Sequence, residues 1–254
     1  MSQLADLCVL ITRPSAQSEP LRALISAEGG QAIVLPTIEI MPVKQDVTLS
    51  YVKQQDLAIF VSPNAVIMLD QNVKAQWPNS LQIVAVGAGT AAALKLAGLH
   101  VQHQPKQFNS EALLKLPILQ KVSEKRIVIF KGEGGRDLLA TTLKERGALI
   151  TEKVIYRRVL PKIDLKSALP DQLRKQINII VCTSNTGLQN LVELISTANH
   201  KWLLNMPLLV ISQRMANFAC ELGFVRMPLV AENATDEAIV KALLSFAKSK
   251  VNKN

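Results

Sequence analysis

The chain is poor in aromatic residues, with two tryptophans, two tyrosines and six phenylalanines in 254 residues. Proteins that hold single-stranded nucleic acid stack bases on such rings along a basic groove. Here Lys and Arg are scattered rather than gathered into a stripe, so the net charge of +9 points to a small polyanion and away from nucleic acid. Cysteine is also scarce: Cys8, Cys182 and Cys220 lie in apolar segments without CxxC spacing and read as buried, reduced thiols. Of three histidines, His100 and His103 follow Gly98 in a short strand and His200 is far off in sequence, so no metal site is expected. Every apolar run is cut by charge, Pro or Gly before the roughly 20 residues that cross a bilayer. Residues 1–6 carry no basic start of a secretory signal. These absences together predict a cytoplasmic protein with neither nucleic acid nor membrane as partner.

What remains is globular composition, 48% hydrophobic and 19% charged. The length corresponds to roughly 1.7 domains, hence one large domain or two small ones. Short β-branched runs predict strands: CVLIT (8–12), AIVLP (32–36), LAIFV (57–61), QIVAV (82–86), RIVIF (126–130), ITEKVIY (150–156), INIIVCT (177–183) and LLVIS (208–212). Between most of them lie helical patterns such as PLRALISAEGG, TAAALKLAGL, RDLLATTLKERG and RMANFACELG, most closing at a C-cap glycine. Continuous apolar strands separated by helices mean parallel sheets covered on both faces, and ligands of such sheets bind beyond the carboxyl ends of the strands. One such end, IFVSPNAV (59–66), offers only hydroxyl, amide and backbone groups.

The chain also repeats itself. The segment from CVLITRP to GGQAIVLPTIEI resembles RIVIFKGEGGRDLLATTLKERGALITEKVIYRR, with Gly30 matching Gly147. IFVSPNAV resembles VCTSNTGL (181–188), and IVAVGAGTAAALKLAGLHV resembles LLVISQRMANFACELGFV. Two different segments are followed by the same two again, which predicts two similar α/β halves. The stretches 40–43 and 157–161 are extended and marked by Pro42 and Pro161, as two strands crossing between domains would be. The expected division is residues 1–36 plus 161–254 as one discontinuous domain and 37–160 as the other, with linker strands near 37–43 and 156–161.

The motifs LITRP, VSPNAV, AVGAGTAAAL, KGEGGRDLL, VIYRR and TSNTGL, in register over nearly the whole chain, resemble the uroporphyrinogen-III synthase family. The resemblance implies two flavodoxin-like domains, each a parallel sheet with helices on both faces, joined by a two-stranded linker. It also implies a substrate held between the domains and no metal or cofactor. That substrate is hydroxymethylbilane, a linear tetrapyrrole bearing eight carboxylates. The family's reaction removes its terminal hydroxyl as water, leaving an azafulvene that ring D attacks from its substituted carbon, and ring D ends inverted. Unaided closure gives the type I isomer instead, so the protein's task is chiefly positional. A monomer is expected, with the preceding enzyme of the pathway as a partner that hands over substrate.

Each motif then takes a physical role. Helix N-termini present free N–H groups and partial positive charge to carboxylates. At two such turns Ser62 with Asn64, and Ser184 with Thr186, add side-chain donors. The two serines serve equally well as N-caps, and one hydroxyl can do both. Gly87 and Thr90 mark a further turn, either a ligand approach or an ordinary tight turn. Its counterpart Ser212–Gln213–Arg214–Met215 departs from the pattern, with Met215 where a Thr is usual and Arg214 as a substitute charge. Lys131, Gly132 and Arg136 of the glycine-rich loop suit a carboxylate, against the reading of a plain solvated loop. Arg13 is a further cation, or one half of a surface ion pair. By resemblance Tyr156 is the candidate general acid, and an interdomain packing residue is the alternative. The competing class is a non-catalytic two-lobed sensor of a small polyanion, which would release its ligand unchanged.

Overall fold

The computed structural model describes residues 3–44, 46–107, 110–135 and 137–251. Among them the strands run β1 Cys8–Ile11, β2 Gln31–Val34, β3 Glu39–Pro42, β4 Leu57–Phe60, β5 Gln82–Ala85, β6 Arg126–Gly132, β7 Leu149–Val159, β8 Ile179–Val181, β9 Leu208–Val210 and β10 Leu229–Val230. They fall in two compact units, Met1–Glu39 with Val159–Asn254, and Ile40–Arg158.

The first unit holds a parallel sheet in the order β10-β9-β8-β1-β2. Counted within the unit this is the flavodoxin-like order 2-1-3-4-5. Its central strands β1 and β8 are buried at every position, as a parallel sheet covered on both faces requires. Strand alternation assigns the faces. Leu10, Ile180 and Val210 pack with Leu188, Leu191 and Met215 on one side. Val9, Ile11 and Val181 pack with Leu21, Ile25, Ile239 and Leu243 on the other.

The second unit holds the order β3-β7-β6-β4-β5, and His103 adds a single parallel bridge to Val84 beyond β5. Its faces alternate likewise. Ala58, Phe60, Val128 and Phe130 meet one layer, with Phe60 and Phe130 stacked at 4.7 Å. Leu57, Ile59, Ile127 and Ile129 meet Leu139 and Leu143 in the other. The internal repeat explains the kinship of the units: β6 and β7 correspond to β1 and β2, and β4 and β5 to β8 and β9. Each unit therefore holds one copy of each repeated segment. The chain passes between the units within β3 and again at the end of β7. Pro42 is tolerated because β3 is an edge strand.

Cys8 and Cys182 are buried as expected, whereas Cys220 is exposed. The helix Gln213–Glu221 turns Met215, Ala216 and Ala219 to the core, which leaves Cys220 on its polar side with Arg214 and Asn217. The described residues contain no group of three His, Cys, Asp or Glu placed to hold a metal, and no helix long and apolar enough to cross a membrane.

Candidate functional site

In the second unit the carboxyl ends of β4, β6 and β7 converge on a cavity of about 420 Å³. At the end of β4, Ser62 is fully extended, and its Oγ accepts the Ala65 N–H at 3.1 Å, capping the helix Pro63–Met68. Pro63 suits the first helical position, where its missing N–H costs nothing. The same Oγ shares a 3.0 Å hydrogen bond with Tyr156 Oη.

Tyr156 lies on β7 and is only 2% exposed. Its ring passes so close to Gly132 of β6 that a Cβ there would sit 2.5 Å from Cζ. The β6–β7 register shifts between Lys131 and Gly132, and beyond the shift Glu133 N–H donates to the Tyr156 carbonyl at 2.8 Å. Arg158, two residues further along β7, donates from Nη2 to Tyr156 Oη at 3.0 Å, with its guanidinium carbon 5.3 Å from the ring centroid.

Lys131 points into the same cavity, 13% exposed, and its Nζ meets Glu152 Oε1 at 2.7 Å. Glu133 and Glu152 also line the space. The glycine-rich loop is thus less cationic than its sequence suggests, because its lysine is already matched by a carboxylate from β7. Arg136 lies outside the described residues.

The other turns place the remaining candidates. Gly87 is extended and buried ahead of the helix Ala88–Leu96, and Thr90 is buried in that helix's first turn. Asn64 is half-buried. In the first unit Ser184 Oγ accepts Gly187 N–H at 3.0 Å and Ser212 Oγ accepts Met215 N–H at 3.3 Å, so both serines cap helices just as Ser62 does. Thr186 is exposed, and Met215 is a core residue. Arg13 is 11% exposed. Its guanidinium forms an ion pair with Asp236 and donates to Thr183 Oγ1 and the Ala234 carbonyl, tying the end of β1 to the start of the C-terminal helix.

The structure therefore brings together Ser62, Lys131, Gly132 and Tyr156, and leaves Arg13, Ser184 and Thr186 in the other unit. Sequence reasoning passed over Glu152 and Arg158. A signal for Arg158 was present, because it stands two positions from Tyr156 on one strand and so shares its face. Glu152 gave none, because the irregularity opposite Lys131 and Gly132 breaks the alternation between it and Tyr156.

The family model described as uroporphyrinogen-III synthase HemD matches residues 19–241. A uroporphyrinogen-III synthase from Escherichia coli K12 is 34% identical over 246 residues, covering 93% of this chain and 100% of that protein. One from Synechococcus elongatus is 27% identical over 252 residues, covering 94% and 95%. Among solved structures, a uroporphyrinogen III synthase of the extremely thermophilic bacterium Thermus thermophilus aligns with TM-score 0.58 and 21% identity over 96% of this chain and 99% of that one. Uroporphyrinogen-III synthetase from Helicobacter pylori aligns with TM-score 0.60 and 16% identity over 94% and 99%.

Proposed function

We propose, from the premise that this chain belongs to the uroporphyrinogen-III synthase family, that it closes hydroxymethylbilane to uroporphyrinogen III and that the cavity of the second unit receives the reacting end of that substrate. The observation that supports this reading is the meeting of a serine hydroxyl, a phenol and two cations at the carboxyl ends of parallel strands. The family's members are cyclising lyases, and a sensor that returns its ligand unchanged is set aside with them.

The substrate's carboxylates are to be held at Lys131 and at helix N-termini, whose first N–H groups lack intrahelical partners and suit anions. The pyrrole nitrogen supplies the electron pair that expels the hydroxyl, and ring D supplies the carbon nucleophile. The protein's residues then have two tasks, to protonate the departing oxygen and to hold ring D so that its substituted carbon reaches the azafulvene. Because electrophile and nucleophile both belong to the substrate, we take the reaction to need no cofactor. We take the working form to be a cytoplasmic monomer, supplied with substrate by the preceding enzyme of the pathway.

Lys131 gives the first test. In the free protein its ammonium is paired with Glu152, and a substrate carboxylate must replace that partner. Lys131→Met should raise KM for hydroxymethylbilane about tenfold, the scale of one charge-assisted hydrogen bond, with kcat nearly intact. An unchanged KM would remove this cavity from the binding site.

A further inference from the structure

Among the described residues Tyr156 Oη has two hydrogen-bond partners, and their chemistry gives the contact a direction. Arginine is a donor only and stays protonated, so at 3.0 Å Arg158 Nη2 must donate into a lone pair of the phenol oxygen. The phenol keeps one hydrogen to give. Ser62 Oγ accepts the Ala65 N–H on one lone pair and has a second free for that phenol hydrogen. Ser62's own hydrogen is then left to point away from both. Tyr156 is nearly sealed at 2% exposure whereas Ser62 is half-open to the cavity.

We propose that Arg158 is a positioning residue that orients Tyr156 toward Ser62, so that Tyr156 and Ser62 form a proton line to the cavity with the Arg158 guanidinium fixed behind the phenol. This rests on the reading above that the cavity takes the hydroxyl-bearing end of the bilane. As the carbon–oxygen bond breaks with its electron pair on oxygen, Ser62 Oγ gives its proton to that oxygen and water departs. Tyr156 Oη passes its own proton to Ser62 Oγ. The phenolate that remains faces the Arg158 guanidinium, an opposite charge already at hydrogen-bond distance. When the closing pyrrole regains aromaticity it releases a proton from carbon, and that proton returns along the same line, so the residues end the turnover as they began. Ser62 is the catalytic residue in this scheme, because its hydroxyl touches the leaving oxygen.

A simpler role for Arg158 would be to grip a substrate carboxylate, and kinetics separate the two. The experiment compares the unmodified protein, Arg158→Met, Tyr156→Phe and the double variant with hydroxymethylbilane as substrate, after circular dichroism has shown that each is folded. Tyr156→Phe should lower kcat about tenfold, less than the roughly 10²- to 10⁴-fold of a fully required general acid, because the pyrrole nitrogen drives departure. Arg158→Met should lower kcat about fivefold with KM shifted less than about twofold. The double variant should match Tyr156→Phe alone, since Arg158 acts only through the phenol. Arg158→Lys, which keeps a donor, should recover part of kcat. A raised KM with intact kcat in Arg158→Met would overturn the proposal and make Arg158 a carboxylate clamp, as would losses that multiply in the double variant. A full-speed Arg158→Met beside an impaired Tyr156→Phe would overturn the role of Arg158 alone. A full-speed Tyr156→Phe would overturn the reading of the phenol together with the proposal.

Discussion

Gly132 is the residue on which the second unit's site turns. A methyl group there would lie 2.5 Å from Tyr156 Cζ and 2.9 Å from Oη, and its strand is packed on both faces, so the ring has to move. Gly132→Ala should therefore destabilise the second unit by about 1–3 kcal/mol, the scale of core overpacking. It should also lower kcat at least as far as Tyr156→Phe, and paired melting and kinetic measurements check both effects. An alanine variant with unaltered melting temperature and kcat would mean that ring and strand are not held together. The sequence marks Gly132 as a special position, but it suggests ligand approach; the neighbour that needs the space is a ring 24 positions along the chain. Tyr156 itself was legible as a lone phenol at a strand end. Its partner Ser62 was legible as a residue and Arg158 was passed over, and their cluster was not legible because it depends on β4, β6 and β7 lying side by side.

At the scale of elements, the strands most visible in sequence are those buried on both faces, since burial demands an unbroken apolar run. β3 and β10 show no such run: β3 is an edge with exposed residues, and β10 is two residues long. The helix starts were legible through their cap residues, and Ser62, Ser184 and Ser212 all act as caps. Capping and ligand contact look alike in sequence, because both ask for a hydroxyl at the same place. Strand starts have their own fastening. Asp56, just before β4, accepts the Arg126 N–H at 2.8 Å, and its own N–H donates to the Arg126 carbonyl at 2.8 Å. The Arg126 backbone N–H, then its guanidinium, hold the Asp56 carboxyl below the usual carboxylate range. A carboxyl with a lowered folded value adds stability that is fully present above the unfolded value, about 3.9, and is lost as pH falls through the folded one. Asp56→Asn should thus lower the melting temperature near pH 6, and the gap to the unmodified protein should close as pH falls below about 4. A gap that stays constant would show that the carboxylate's charge contributes nothing.

At the scale of the whole molecule, the repeat explains why one unit is continuous in sequence and the other is not. The first unit pairs β1 with β8 across 170 positions, Val9 with Ile179, so it cannot form until nearly all of the chain is present. The second unit runs from Ile40 to Arg158 without interruption. We propose that each unit is a folding domain. An isolated fragment of residues 40–158 should then melt cooperatively, within the usual size of an autonomous domain, whereas residues 1–39 added to it should stay open to proteases. A fragment of residues 40–158 that is unfolded in circular dichroism would contradict this. The doubly wound class and the two-part repeat were readable from the order of the motifs. The cyclic shift between the units is visible only once the strand order is known.

If the chain closes hydroxymethylbilane to uroporphyrinogen III, its task is to steer a flexible polyanion to the less accessible closure. The most direct measurement is to supply hydroxymethylbilane to the purified protein, oxidise the products and separate the type I and type III porphyrin isomers. The type III isomer should dominate, formed well above the spontaneous rate, with Lys131→Met and Gly132→Ala shifting product toward type I as closure escapes their control. Type I alone, at the rate seen without protein, would contradict the account.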